Sequence, residues 1–129
     1  LLAGGHRLNR AGNFYAPTVL GNVPEAARIM AEEPFGPVAS IVPFFTFDEV
    51  IAKANALPYG LASFVFTRDG ATARDAEMAL NAGLVGVNHT MISTPETPFG
   101  GVNESGFGSE SGIEGLEAFQ RTKFVSELF

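Results

Sequence analysis

The chain is expected to fold as an α/β unit, a mostly parallel sheet flanked by helices. Three features point there. Apolar, β-branched runs at Val38–Phe44, Leu61–Thr67 and Leu84–Asn88 read as buried strands. Amphipathic helical stretches lie between them, and the connections are too short for anything but neighbouring elements. Hydrophobic residues make up 46% of the chain and charged residues 17%, so a packed core is expected rather than disorder.

The elements follow in order. Behind a Gly-rich opening, Phe14–Leu20 is a short apolar run broken by Pro17. Asn22-Val-Pro-Glu25 has the form of a helix start, with Asn as cap and Pro in the first turn, and the short helix holds Ala26, Ile29 and Met30 until Pro34 stops it. Thr46-Phe-Asp-Glu49 matches a capping box, and Phe47, Val50, Ile51, Ala54 and Leu57 follow at helical spacing, one face for a sheet. Asp69-Gly70 turns into a second helix over roughly Ala71–Ala82, closed by Gly83. Two strand–helix–strand units in a row imply right-handed crossovers and parallel strands. His89–Ser111 loses all periodicity, and so long an irregular stretch inside a compact domain marks a functional loop. Ser111-Gly-Ile-Glu114 is a second capping box, opening a helix to about Gln120, and Arg121–Leu128 is an extended tail. Without repeats or low-complexity linkers, the expected organisation is one domain over 1–120 and a tail over 121–129.

Composition excludes several functions. A formal net charge of −6 with no basic run argues against nucleic acid. There is no Cys, so the chain itself offers no disulfide, thiolate–metal site or thiol nucleophile. His6 and His89 are the only imidazoles and stand far apart, so no metal site is expected. No apolar run approaches the ~20 residues that span a bilayer, and no membrane association is expected. The chain opens on Leu1 in mid-pattern, as a piece of a longer protein would, and nothing points outside the cytoplasm, which is the expected location.

Three segments carry more information than fold maintenance requires. In Glu32-Glu-Pro-Phe-Gly-Pro37, two prolines restrict the backbone and hold a carboxylate near an aromatic ring. A carboxylate accepts hydrogen bonds from both ribose hydroxyls, and a ring packs on a flat heterocycle. The plainer reading is an acidic surface pair before a turn, and spacing alone does not choose between Glu32 and Glu33. Pro98-Phe-Gly-Gly101, followed by Ser105-Gly106, places a large ring beside paired glycines that let backbones approach closely. Here the plainer reading is a tight turn pinned by a core Phe. Gly106-Phe-Gly108-Ser-Glu-Ser-Gly112 narrowly misses the dinucleotide fingerprint and follows a polar loop where a strand is needed. It is read as a loop and helix cap. Glu110 at the centre of Gly108–Gly112 also rules out a nucleophile elbow.

Taken in order, Gly12-Asn-Phe-Tyr-Ala-Pro-Thr-Val-Leu20, Glu32-Glu-Pro-Phe-Gly-Pro-Val38, Ala54-Asn55 with Tyr59-Gly-Leu-Ala62, Val65-Phe-Thr67, Gly86-Val-Asn88 and Pro98-Phe-Gly-Gly101 with Ser105-Gly106 resemble the aldehyde dehydrogenase superfamily. The resemblance runs from near Leu1 to the C-terminus. It implies the C-terminal part of a catalytic domain in a subunit several times longer, which uses NAD or NADP to oxidise an aldehyde to a carboxylate. In that family a Cys thiolate attacks the carbonyl, hydride passes to the nicotinamide, and a Glu-activated water releases the acid. Those catalytic residues precede the segment seen here, so no catalytic residue is expected in this chain, which should be inactive alone.

By the same resemblance, Glu33 corresponds to the carboxylate on the nicotinamide ribose and Phe35 to the ring beside the nicotinamide. Phe99 corresponds to an aromatic wall of the aldehyde tunnel. Asn88 and the loop His89–Thr97 border the tunnel mouth, with Ile92 and Ser93 nearest the substrate. Thr122-Lys-Phe-Val125 resembles the strand that pairs across subunits, a C-terminal extended oligomerisation strand in a homo-oligomer, dimer or tetramer. The expected partners are a small-molecule aldehyde and the remainder of its own subunit. Thr94-Pro-Glu-Thr-Pro-Phe-Gly-Gly101 with Ser109-Glu-Ser-Gly-Ile-Glu-Gly115 looks most like the succinate-semialdehyde and related semialdehyde dehydrogenases. No Arg lies in the loop, so any Arg for a distal carboxylate stands upstream. The competing reading is a stand-alone binding or assembly module that kept the scaffold without the catalysis.

Overall fold

The computed structural model describes residues 1–129 in full, as two compact units, Leu1–Phe47 and Asp48–Phe129. In the first, β1 (Thr18–Gly21) pairs in parallel with β2 (Val38–Ile41), Thr18 opposite Val38. The opening residues double back on β1, Leu2 N donating to Val19 O and Val19 N to Ala3 O. Thr18, 6% exposed, ties this layer together: its hydroxyl accepts from Gly5 N and donates to Ala16 O, both at 2.8 Å.

The helix expected from Asn22 reduces to a single 3₁₀ turn at Arg28–Met30. A cap residue needs extended backbone, whereas Asn22 lies in the left-handed region (φ 50°), and Ala27 is extended immediately before the turn. The β2 run is also shorter than the expected Val38–Phe44, and it is not buried: Ile41 and Phe44 are each more than half exposed.

In the second unit, α1 (Phe47–Ala54) opens at the boundary and is braced by Glu49–Lys53 one turn apart, at 2.6 Å, a pair worth a few tenths of a kcal/mol on an exposed helix. Its apolar residues Phe47, Val50 and Ile51 are half-buried, and no α1 residue is fully buried. β4 (Ala62–Val65) and β5 (Leu84–Val87) form the second parallel pair, with α2 (Gly70–Ala79) as their crossover. Between α1 and β4, β3 (Tyr59–Gly60) pairs antiparallel with β6 (Val102–Asn103), which lies within the stretch expected to be irregular. The strands therefore make three two-stranded ladders, two parallel and one antiparallel, in place of a single sheet.

Asp69 caps α2 by accepting from the backbone N–H of Thr72 at 2.8 Å and from its hydroxyl at 2.6 Å. The helix stops at Ala79, before the expected Ala82, because Leu80 turns extended and the Asn55 side chain takes over the next polar groups. Asn55 donates to Ala79 O and accepts from Asn81 N. At the far end of β5, Asn88 adopts the left-handed conformation (φ 58°) and its amide oxygen accepts from Thr67 N at 2.9 Å. The second capping box does not form. Ser111 is left-handed (φ 58°), which removes its hydroxyl from the cap position, and α3 (Glu114–Glu117) starts at Ile113 with no side-chain cap. Residues 121–129 join no ladder within the chain.

The core is small. Ala16, Val23, Ala76 and Leu84 are the buried apolar residues, and no large side chain is fully enclosed. The accessible surface is 10323 Å², against ~6,600 Å² for a self-contained folded chain of this mass. Phe35, Phe45, Phe107, Phe119, Phe124 and Phe129 stand almost wholly in solvent.

Two consequences are measurable. Thr72 hydrogen bonds hold the Asp69 carboxyl below its ordinary value of 3.8, so its support of α2 is complete above that pH and fades only as pH falls through the lower, folded value. The Thr72 amide NMR shift should therefore titrate with an apparent pKa below 3.8, and a midpoint at or above that value contradicts the cap. Replacing Asn88 by Ala removes the bond to Thr67 N and forces a Cβ-bearing residue without a polar side chain into left-handed backbone. Thr67 amide exchange should speed up roughly tenfold, as for a lost bond of about 1.4 kcal/mol. An unchanged rate rules out the Asn88 bond as the strand-end support.

Candidate functional site

The residues singled out by sequence fall in both units, and each group has its own geometry. In Leu1–Phe47, the turn Pro34–Pro37 follows the 3₁₀ segment and leads into β2. Gly36 N donates to Pro34 O, Val38 N to Gly36 O, and Thr18 N to Pro37 O, so the turn is tied to the first strand of the ladder. Neither φ nor a neighbouring atom demands glycine at Gly36.

This turn separates the two carboxylates that spacing could not distinguish. Arg28 bonds Glu32 through both Nε (2.8 Å) and a terminal nitrogen (2.7 Å), one helical turn apart. Both side chains are well exposed, so the pair contributes little stability, but it occupies the guanidinium and leaves Glu33 outside any ion pair of the chain. Glu33 borders a recess of about 380 Å³ together with Arg28, Ile29, Glu32 and Pro34. Two residues on, Phe35 is 95% exposed. An unpaired carboxylate and a bare ring, both on a proline-restricted turn, can accept hydrogen bonds from a diol and cover the face of a flat ring.

In Asp48–Phe129, Asn88 and the loop after β5 make a second locus. The Asn88 carbonyl is spoken for by Thr67 N, and the side chain is exposed. The following loop folds back over β5: a Cβ on Gly86 would lie 2.9 Å from Ile92 Cγ2 and 2.7 Å from His89 O, so Ile92 packs directly on the strand. This leaves a groove of about 360 Å³ whose walls include Leu84, Val85, His89, Met91, Ile92 and Thr94. Of Asn88, Phe99 and the two loop residues expected nearest the substrate, only Ile92 lines this groove, together with His89, Met91, Thr94 and Thr97 of the same loop, and Ser93 is exposed. Phe99 is half-buried and bridged to Glu110 by two backbone hydrogen bonds of 2.7 Å, which make Pro98–Gly101 the arm of a closed loop.

Two residues that matter to this locus escaped the sequence reading. In the sequence Asn55 stands out only as part of a motif, yet its amide joins the ends of α1 and α2. Ser105 stands out only beside Gly106, yet its hydroxyl accepts from Gly60 N at 2.9 Å and binds the loop to β3. An Asn just past a helix end is a legible capping signal. A Ser that reaches back 45 residues is not. The side chains contain no cluster of His, Cys, Asp or Glu that could hold a metal ion, and no helix is long and apolar enough to cross a membrane.

Several known proteins similar to this chain are named as dehydrogenases. The chain is 53% identical over 115 residues to 4-(hydroxymethyl)benzenesulfonate dehydrogenase TsaD1 of Comamonas testosteroni, which covers 89% of this chain and 24% of that protein. It is 40% identical over 126 residues to the NADP-dependent succinate-semialdehyde dehydrogenase of Saccharomyces cerevisiae, with 98% of this chain and 25% of the relative covered. The crystal structure of an NAD-dependent aldehyde dehydrogenase from Sinorhizobium meliloti superposes with a TM-score of 0.90 at 40% identity, covering 95% of this chain and 24% of that one. The chain thus spans about a quarter of the length of these relatives. With the aldehyde dehydrogenase family matched over residues 1–125, and relatives that use NAD or NADP, this chain belongs to the aldehyde dehydrogenase family.

Proposed function

We propose that the chain supplies the nicotinamide-ribose contacts and part of the aldehyde tunnel to an NAD(P)-dependent aldehyde dehydrogenase, whose thiol nucleophile comes from another part of the same subunit. The observation that carries this reading is the Glu33–Phe35 turn. Its carboxylate is left unpaired while its neighbour Glu32 is neutralised by Arg28, and its ring is kept out of the chain's own core. A stand-alone module has no reason to expose so many Phe side chains. A segment that completes its core against the remainder of its subunit does.

The residues present fit the dinucleotide. Glu33 accepts hydrogen bonds from the ribose hydroxyls, which fixes the sugar and, through it, the angle of the attached ring. Phe35 covers one face of that ring and excludes water there. The bound nicotinamide supplies the acceptor for the hydride that leaves the aldehyde carbon. Phe99, Ile92 and Ser93, with Asn88 at the strand end, border the path by which the aldehyde enters. With no Cys in the chain, the nucleophile that attacks the carbonyl is not among these residues.

The loop and the relatives together support a substrate class. The groove beside β5 joins the apolar walls of Met91 and Ile92 to the hydroxyls of Thr94 and Thr97, which lie 3.1 Å apart. Such a mixture suits an aldehyde with a polar or anionic far end, and the named relatives act on a sulfonate and a semialdehyde of a dicarboxylic acid. A semialdehyde such as succinate semialdehyde is the preferred candidate. The exposed Phe124 and Val125 of the tail are read as a strand that pairs with a second subunit, in a dimer or tetramer.

The test is a chimera in which residues 1–129 replace the matching quarter of the Sinorhizobium meliloti enzyme. The chimera should reduce NAD with an aldehyde, whereas the 129-residue chain alone should not. Within it, Glu33→Gln should slow turnover roughly tenfold or more, because a charge-assisted hydrogen bond worth about 1.5–3 kcal/mol is lost. A soluble but inert chimera, or a Glu33→Gln variant with unchanged turnover and cofactor affinity, contradicts the reading.

A further inference from the structure

The geometry points to Ser105 and Gly83 as positioning residues for the aldehyde tunnel: Gly83 borders the β5 groove with backbone alone, Ser105 does not border it, and together they fix where the Phe99 ring stands. This rests on Phe99 as a tunnel wall and adds what holds that wall in place.

The Pro98–Gly101 turn lies in close backbone approach to the residue that leads into β5. A Cβ on Gly83, just before β5, would lie 1.8 Å from Gly100 O and 2.9 Å from Gly100 C. Both are backbone atoms, so any side chain at 83 must displace the turn bearing Phe99. The opposite side is equally close: a Cβ on Gly100 would lie 2.4 Å from Gly108 O, and one on Gly101 would lie 2.6 Å from Ser105 Cβ. The turn is clamped between β5 below and its own returning loop above.

Hydrogen bonds set the height of the clamp. Gly60 in β3 donates to Ser105 Oγ at 2.9 Å and accepts from Gly83 N at 3.1 Å, so one buried residue addresses both sides of the turn. Glu104 N donates to Pro58 O at 2.8 Å, and Val102 pairs with Gly60 across the ladder. The Phe99–Glu110 bridge then carries this position to the ring. Loss of the Ser105 hydroxyl leaves Gly60 N unpaired and frees the returning loop, while a methyl at Gly83 lifts the turn directly.

The test compares kcat/KM for acetaldehyde and for benzaldehyde in the chimera described above. Gly83→Ala should shift that ratio about tenfold, through KM rather than kcat, with NAD affinity unchanged, the range that pocket reshaping by one methyl provides. Ser105→Ala should shift it in the same sense by less, and Ser105→Thr, which keeps the hydroxyl, should restore it. In a Phe99→Ala background Gly83→Ala should change the ratio no further, since the ring through which it acts is gone. Ratios unchanged in both single variants, or shifts that persist without the Phe99 ring, overturn the proposal. If Phe99→Ala itself leaves the ratio untouched, the tunnel reading fails instead. The clamp is then judged on the chain itself by amide exchange at Phe99 and Glu110, which should quicken about tenfold in Ser105→Ala. Equal rates there refute the clamp, and the Ser105 pair decides alone should Gly83→Ala fail to assemble.

Discussion

The backbone of Gly60 is the point on which the second unit closes. Its N–H and C=O are both taken by distant segments, Ser105 and Gly83, and a Cβ would lie 2.3 Å from Asn81 O. A buried backbone with both polar groups satisfied by tertiary partners holds three strands in register without help from a large side chain. That suits a unit whose buried apolar residues are few. Hydrogen bonds and close backbone contact carry what hydrophobic burial does not, and Asn55 extends the same device to the ends of both long helices.

The scarcity of core supports the proposal that function is shared with other parts of a subunit. Twelve Phe in 129 residues would be a liability if most faced water in the working protein. Several of them do so here, along with the tail. The exposed carboxylate and ring at Glu33 and Phe35 belong to a different category. They sit on a restrained turn, and the competing charge beside them is already neutralised by Arg28. The proposal treats the first set as surface that a partner covers and the second as a shaped pair for a ligand.

Much of this was legible beforehand, for reasons that differ by residue. The parallel β4–β5 pair is legible because apolar runs and a strongly capped α2 are local signals, and Asp69 does cap that helix through Thr72; β2, expected beside β4 across α1, pairs instead with β1. The single sheet is not legible, because strand order depends on contacts that local pattern does not encode, and β3 and β6 are only two residues each. The helix after Asn22 and the capping box at Ser111 failed together: in both, the would-be cap residue adopts left-handed backbone, which sequence alone does not reveal for Asn or Ser. At the site, Glu33 could be separated from Glu32 only by resemblance, and the structure adds a physical distinction in the Arg28 pair. Gly83 was read as a helix terminator, while its main constraint is the turn above it.

The central claim is that Glu33 and Phe35 grip the reactive end of a nicotinamide dinucleotide. Its most direct test is the structure of the complete subunit carrying this segment with NAD bound. The account requires a Glu33 carboxylate oxygen within ~3.2 Å of a nicotinamide-ribose hydroxyl and the Phe35 ring against the nicotinamide face. A Glu33 side chain directed to solvent, with the ribose held by other residues, would contradict it.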